Sequence, residues 1–427
     1  MKLRSSTAFA ALALVALPAI GADPLPRAEP EAVSMSSARL ARIDQKLKAD
    51  VDGGRIPGAV VAIARNGKLV YFKAFGYQDM AAGLPMTTES IFNIASMTKP
   101  MVSVGTMMLF EDGRMMIGDP VSKYIPALGK MPVAIARGNV AAGAMMETVP
   151  AKRQMTIQDL MRHTSGLLYG GRGTTALHKL YPPSSGSSGT GMTGAEFIDK
   201  LAALPLAYQP GTVWDYSLSV DVLGLVLEKA SGTTLGAYLQ ERIFAPLKMV
   251  DTGFIVPPEK ASRYAQPLPI DPSSGAPQAM IDLTKPLKFE CGGGCAVSTA
   301  GDYIRFAQML LNGGTLDGAR ILSPKTVEFM VADHLGPEIE NNITVTEAQR
   351  AGYGFGLGVA VRRQTGVAST IGSTGDYFWN GAYGTAFCVD PKEQLAVVMM
   401  MLAPGSLATR QHYRQVLSSY VIQAIER

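Results

Sequence analysis

Ile94-Ala95-Ser96-Met97-Thr98-Lys99-Pro100 sets a serine and a lysine three residues apart. On a helix the two share a face, one turn from each other. The lysine amine can then hydrogen-bond the hydroxyl and help remove its proton. With Ser96 opening the helix, free backbone N–H groups and the positive end of the helix dipole lie beside it. Both stabilise an alkoxide and a developing oxyanion. Pro100 is tolerated so close to a helix start. Alone the pair says little, because roughly one Ser-x-x-Lys is expected by chance in a chain of this length, and a solvated helix start reads the same way.

Two segments further along could meet it. Pro210-Gly211-Thr212-Val213-Trp214-Asp215-Tyr216-Ser217-Leu218 places an aromatic-rich stretch after a turn, and Tyr216 can relay protons if its phenol reaches Lys99 and Ser96. Gly375-Asp376-Tyr377-Phe378-Trp379-Asn380-Gly381-Ala382 enters a strand, where a backbone N–H can face a substrate carbonyl beside an apolar tryptophan wall. Read singly, these are a packed tyrosine and an ordinary loop. Other hydrolytic and metal patterns are missing: there is no Gly-x-Ser-x-Gly, and His163, His178, His334 and His412 sit in no zinc motif.

The two ends of the chain carry matching strand and helix signals. Leu40, Ile43, Leu47 and Val51 recur at helical spacing over about 37–51. Gly58–Ala64 and Leu69–Phe75 flank Asn66-Gly67, a hairpin signal. Thr385–Val389 and Leu395–Leu402 read as strands, and Tyr413, Val416, Leu417, Tyr420, Val421 and Ala424 as the stripe of a last helix. One sheet built from both termini and covered by helices follows. The middle is helix-rich, with capping boxes expected at Thr156/Asp159, Thr193/Glu196 and Thr299/Asp302. Residues 168–192, rich in Gly, Ser, Thr and Pro, read as a long exposed loop. Tyr169, at its start, either lines a pocket or packs.

The composition is globular: 427 residues, 47% hydrophobic and 17% charged, with only three cysteines. A net charge of +4 without a dense basic run gives nucleic acid no support as a partner. Lys2 and Arg4, an apolar run from Ala8 to Ile20, and then Gly21 and Ala22 read as a secretory signal peptide over 1–22, cleaved near Ala22. The run is too short to span a bilayer, and no later stretch reads as transmembrane. An oxidising compartment permits a Cys291–Cys295 disulfide across three glycines. Cys388 reads as a buried small hydrophobe.

Taken in order, these segments resemble the serine hydrolases with the class C β-lactamase fold, in the branch called family VIII carboxylesterases. Ser96-Met97-Thr98-Lys99 is similar to the family's nucleophile motif. Leu160-Met161-Arg162-His163-Thr164-Ser165-Gly166-Leu167 and Thr299-Ala300-Gly301-Asp302-Tyr303 resemble its structural signatures. The resemblance runs from about residue 30 to the C-terminus. It implies an α/β (α+β) fold: a mixed, largely antiparallel sheet domain from 30–98 and 285–427, a mostly helical domain from 99–284, and a site between them. It makes Ser96 the acylated nucleophile, Lys99 its activator and Tyr216 the catalytic tyrosine. The oxyanion hole becomes the backbone N–H groups of Ser96 and Ala382. Trp379, Asn380, Gly381 and Leu218 line the substrate, and His163 is structural. No metal or cofactor is implied.

Two departures from the β-lactamase pattern bear on substrate. Tyr216-Ser217-Leu218 lacks the asparagine amide of a Tyr-x-Asn motif, and Trp379 stands where β-lactamases carry a lysine. A charge-assisted hydrogen bond contributes about 1.5–3 kcal/mol, so losing that lysine weakens carboxylate recognition on the order of tenfold to hundredfold. The expectation is an exported serine carboxylesterase, periplasmic or secreted, cleaving small-molecule esters of short to medium acyl chain. The alternatives are a class C-like β-lactamase, a D-amino-acid peptidase or amidase, a transacylase, or a non-catalytic penicillin-binding sensor.

Overall fold

The computed structural model describes residues 23–135, 146–343, 347 and 350–426. The expected signal segment, 1–22, lies outside them. Ten strands matter here: β1 (Gly58–Arg65), β2 (Lys68–Asp79), β3 (Leu84–Pro85), β4 (Phe92–Ala95), β5 (Ala296–Ser298), β6 (Tyr353–Phe355), β7 (Ala360–Arg362), β8 (Tyr377–Asn380), β9 (Ala386–Asp390) and β10 (Leu395–Met401). Eight form one sheet in the order β6-β7-β8-β9-β10-β1-β2-β3. Its paired strands are antiparallel throughout. All eight strands come from the two chain ends, and residues 99–284 contribute none of them.

The sheet forms because its central strands are apolar on both faces. β1 is buried along its whole length and pairs with β10, Val61 opposite Met399 and Ile63 opposite Val397. Such uninterrupted apolar strands need cover on two sides. Outside, Val61, Ile63, Val397 and Met399 pack under α1 (Ser37–Asp52) and a C-terminal helix spanning Leu407–Ile422. Inside, Val60, Ala62, Val398 and Met400 meet the helical half of the molecule. Asn66 and Gly67 turn the β1–β2 hairpin with φ of 52° and 72°, the left-handed geometry an Asn-Gly pair supplies.

The helical half places the residues of interest. α2 (Thr98–Glu111) is buried from Thr98 to Leu109 and packs on a helix over Ser219–Ser231. α3 (Ile157–Met161) opens on a complete Thr156/Asp159 capping box, and Thr193/Glu196 forms another. The third expected box is only half made. Thr299 accepts from the Asp302 N–H, but the Asp302 carboxylate turns away to the Asp251 N–H and the Thr252 hydroxyl. The stretch 168–192 also differs from the exposed loop expected. It holds a short helix at Ala176–Leu180, capped by Thr175, and α4 (Ser185–Gly191), capped by Ser184. Glycine-rich composition concealed α4. Its Gly189 lies so close to Cys291 and Phe289 that a Cβ would reach 3.0 Å from one and 3.1 Å from the other, so the small residues serve close packing.

Asp159 ties this half together. Fully buried, it accepts from Thr156, Arg153, Arg162 and Thr164. Burial alone raises its carboxyl, but Arg153 and these hydrogen bonds outweigh that and hold it below the ordinary carboxylate range. A carboxyl lowered in the fold stabilises above its unfolded value and loses that contribution as pH falls through the lowered folded value. Asp159→Ala is expected to cost about 3 kcal/mol at neutral pH, the low end for a broken buried pair because Arg153 is partly exposed. Urea midpoints should show the gap to wild type narrowing once pH drops below the usual carboxylate range.

Candidate active site

Ser96 sits between β4 and α2, where the chain changes direction. Ala95 just before it adopts φ 44°, which L residues rarely do. The turn is over-determined. Asn93 accepts from the Ala95 N–H at 3.0 Å, Thr98 donates to the Ala95 carbonyl at 2.6 Å, and Tyr303 donates to the Met97 carbonyl at 2.8 Å. One turn into α2, Lys99 has no exposed surface, and its Nζ lies 3.2 Å from Ser96 Oγ. The serine–lysine pairing expected from spacing is therefore made.

The amine has two further partners. Nζ donates to Tyr169 Oη at 3.1 Å and to the carbonyl of Gly293. Gly293 is the centre of Cys291-Gly-Gly-Gly-Cys295, whose two cysteines are paired with Cα atoms 5.3 Å apart. The Gly293 N–H donates to Asp221 Oδ1 at 3.1 Å, and Ser185 donates to Asp221 Oδ2 at 2.9 Å. Tyr169 Oη lies 2.7 Å from Ser185 Oγ. A Cβ on Gly293 would come within 2.2 Å of the Asp221 carboxylate, so only glycine fits there. Burial raises the Asp221 carboxyl, opposed by the Lys99 charge and the Ser185, Gly293 and Tyr169 hydrogen bonds. Burial, then the Asp221 charge, pushes the Tyr169 phenol well above its ordinary value, which keeps it a hydrogen-bond donor.

Tyr216 flanks the amine, with Lys99 Nζ 4.6 Å from its ring centre. Its hydroxyl accepts from Trp379 Nε1 at 3.3 Å. The phenol in direct hydrogen bond with Lys99 is thus Tyr169, and Tyr216 stands over the amine with its hydroxyl held by Trp379. The Tyr216 segment is clamped to the turn after α3: the Gly211 N–H donates to the Thr164 carbonyl at 2.7 Å and the Asp215 N–H to the His163 carbonyl at 3.1 Å. His163 has no direct bond to Ser96. Its ring lies 4.6 Å from that of Tyr216, and Nδ1 accepts from the Ser217 N–H at 3.3 Å. Burial, then the Lys99 and Arg172 charges, drives His163 well below its ordinary value, so it stays neutral and positions Tyr216.

The strand residues divide. Trp379 points inward to Tyr216. Asn380, expected at the substrate, alternates to the other face of β8 and lines a cavity beneath the C-terminal helix. Leu218, also expected there, has no exposed surface and belongs to the core at the start of the Ser219–Ser231 helix. Gly381 lies against the backbone just before Ser96, where a Cβ would come within 2.4 Å of the Ile94 carbonyl. Ala382 follows it, exposed. Sequence reading missed Asp221, Ser185 and Gly293. Asp221 reads as a first-turn helix acid, Ser185 sits in a low-complexity run, and Gly293 acts through its carbonyl alone. Among the described residues no group of His, Cys, Asp and Glu could hold a metal.

A serine just before a lysine-bearing helix, flanked by two tyrosines on the inner side of an antiparallel sheet, defines a β-lactamase-fold serine hydrolase. The chain belongs to the beta-lactamase family, whose family model matches residues 43–419. It is 30% identical over 392 residues to esterase EstB of Burkholderia gladioli, covering 87% of this chain and 93% of that one. Its fold is similar to that of EstCE1, a hydrolase with promiscuous acyltransferase activity (TM-score 0.71, 26% identity, 90% and 98% of the two chains). It is also similar to that of the simvastatin synthase LovD from Aspergillus terreus (TM-score 0.75, 23% identity, 90% and 98%).

Since the Gly293 carbonyl is presented by a loop closed at Cys291 and Cys295, opening that loop should displace the amine. A displacement near 1 Å costs on the order of a hundredfold in a positioned reaction. Cys291→Ala/Cys295→Ala, or reduction with a phosphine, is expected to slow labelling of Ser96 by a fluorophosphonate roughly tenfold to a hundredfold while circular dichroism is unchanged.

Proposed function

We propose that this chain is an exported carboxylesterase that cleaves neutral esters of short to medium acyl chain through an acyl-Ser96 intermediate. The observation that carries the reading is the Ser96 hydroxyl within 3.2 Å of the buried Lys99 amine, beside Tyr216. Ser96 Oγ attacks the ester carbonyl carbon while its proton passes to Lys99 and Tyr216. The oxyanion lies between the Ser96 and Ala382 N–H groups, a placement supported by the contact of Gly381 with Ile94. The C–O bond to the alcohol breaks, and the alcohol leaves with the proton through Tyr216. Water adds to the acyl-serine by the reverse path and releases the acid.

The preference for esters rests on Trp379. Where β-lactamases present an ammonium, this chain presents an indole that is 3% exposed and donates to Tyr216. Arg172, whose guanidinium lies 5.2 Å from the Tyr216 ring centre, is tied to Glu347 at 3.0 Å, so its charge is already engaged. The Cys291–Cys295 pairing suits an oxidising compartment and supports export.

Turnover of p-nitrophenyl butyrate is expected to exceed that of a chromogenic cephalosporin at least a hundredfold, and Ser96→Ala to abolish both. Cephalosporin turnover equal to or above the ester's would make the chain a β-lactamase. Trp379→Phe removes one hydrogen bond from the Tyr216 hydroxyl. A loss of about 1–1.5 kcal/mol predicts a fall in kcat near tenfold with KM little changed.

A further inference from the structure

A cavity of about 140 Å³ lies between the C-terminal helix and the outer face of β7–β10, away from Ser96. Much of its wall is apolar: Phe378, Cys388, Val397, Leu417 and Val421. Cys388, expected as core, is one of these wall residues. Three arginines also line it, and their partners are unequal. Arg362 is closed by Asp376, Nε to Oδ2 at 2.6 Å. Arg350 pairs with Glu347 at 3.0 Å, sharing that carboxylate with Arg172, and its buried Nη1 has no hydrogen-bond partner among the described residues. Among the described residues Arg414 bonds only carbonyl oxygens, those of Gly381 at 2.6 Å and Thr385 at 3.3 Å, and its buried Nε has no acceptor. Among the described residues no carboxylate is within ion-pair distance of Arg414.

A guanidinium taken from water without an anion is unfavourable, and so is a buried N–H without an acceptor. The other aspartate at the cavity, Asp390, does not relieve it. Its oxygens accept from the Ser373, Lys392 and Glu393 N–H groups. What the cavity lacks is therefore an anion with an apolar body. Guanidinium matches the planar oxygens of a carboxylate better than a point charge does. A cavity near 150 Å³ holds a molecule of about six carbons.

We propose that this cavity is a binding site for a short-chain carboxylate, its head group at Arg414 and Arg350 and its chain along Phe378, Leu417 and Val421. The site is distinct from the catalytic cleft and does not depend on how the cleft is read. It nevertheless touches the cleft's wall. Arg414 grips the Gly381 carbonyl beside Ala382, and Arg350 lies 4.5 Å from the ring centre of Trp379.

Calorimetric titration of the full chain with sodium hexanoate, hexan-1-ol and sodium sulfate tests it. Saturable binding of hexanoate is expected, with neither hexanol nor sulfate binding at the same concentrations. Arg414→Gln removes the head-group partner. Ser418→Phe fills the cavity from the helix without altering either arginine. Each should weaken hexanoate at least tenfold, and Ser418→Phe decides alone if Arg414→Gln proves unfolded by circular dichroism. No hexanoate binding, binding unchanged in Ser418→Phe, or equal binding of hexanol or sulfate overturns the proposal.

Discussion

The cleft depends on one buried amine. Lys99 Nζ has no contact with water and must find its hydrogen-bond partners within the protein. It finds a hydroxyl from the turn just before its own helix, a phenol from the stretch after α3 and a carbonyl from the Cys291–Cys295 loop. Each partner comes from a different part of the chain, so the amine stitches together three segments that share no secondary structure. Asp221 stands behind two of them, fixing the Gly293 N–H and, through Ser185, the Tyr169 hydroxyl. A buried polar network of this kind is favourable only when it is closed, which explains why small residues crowd it. Glycine at 293 and serine at 185 leave room for the carboxylate, and larger side chains would open gaps in the network.

The second constraint is the sheet. β1 and β10 are apolar on both faces, so helices must cover both, and Tyr169 and Tyr216 lie in the inner layer. β8 then works on both sides at once. Its inward residue, Trp379, steadies Tyr216, while its outward neighbours Phe378 and Asn380 face the space under the C-terminal helix. Period-two alternation thereby links Tyr216 to the cavity under the C-terminal helix through a single strand.

Where local chemistry determines structure, the sequence was legible. The Asn66-Gly67 hairpin, the helix over Leu40–Val51, the terminal strands and the Thr156 and Thr193 caps are each set by neighbours a few residues apart. Ser96 and Lys99 belong to this group, because one helical turn brings them together. Tyr216 was located by its aromatic segment, but its hydrogen bond to Trp379 spans 163 residues and has no local signature. Asp221 and Ser185 were hidden for the same reason. α4 was hidden by composition. A run of Gly, Ser and Thr reads as loop unless its caps and its contact with the disulfide loop are known. Leu218 lies in the core and Asn380 on the outward face of β8 because alternation and burial, rather than proximity to Tyr216 or Trp379 in the chain, decide where a side chain goes.

The exchange of an ammonium for an indole at position 379 has consequences beyond lost charge. An ammonium there would point a cation at the substrate and would need solvent or an acid to sustain it. The indole instead spends its one donor on Tyr216 and closes against Phe355 and Arg350. Tyr216 is thereby held over Lys99 before any substrate arrives. In the esterase reading proposed above, this preorganisation of Tyr216 takes the place of carboxylate-binding energy, which favours a substrate recognised mainly at its reacting carbonyl. That reading takes a neutral ester rather than an antibiotic that relies on its carboxylate for orientation.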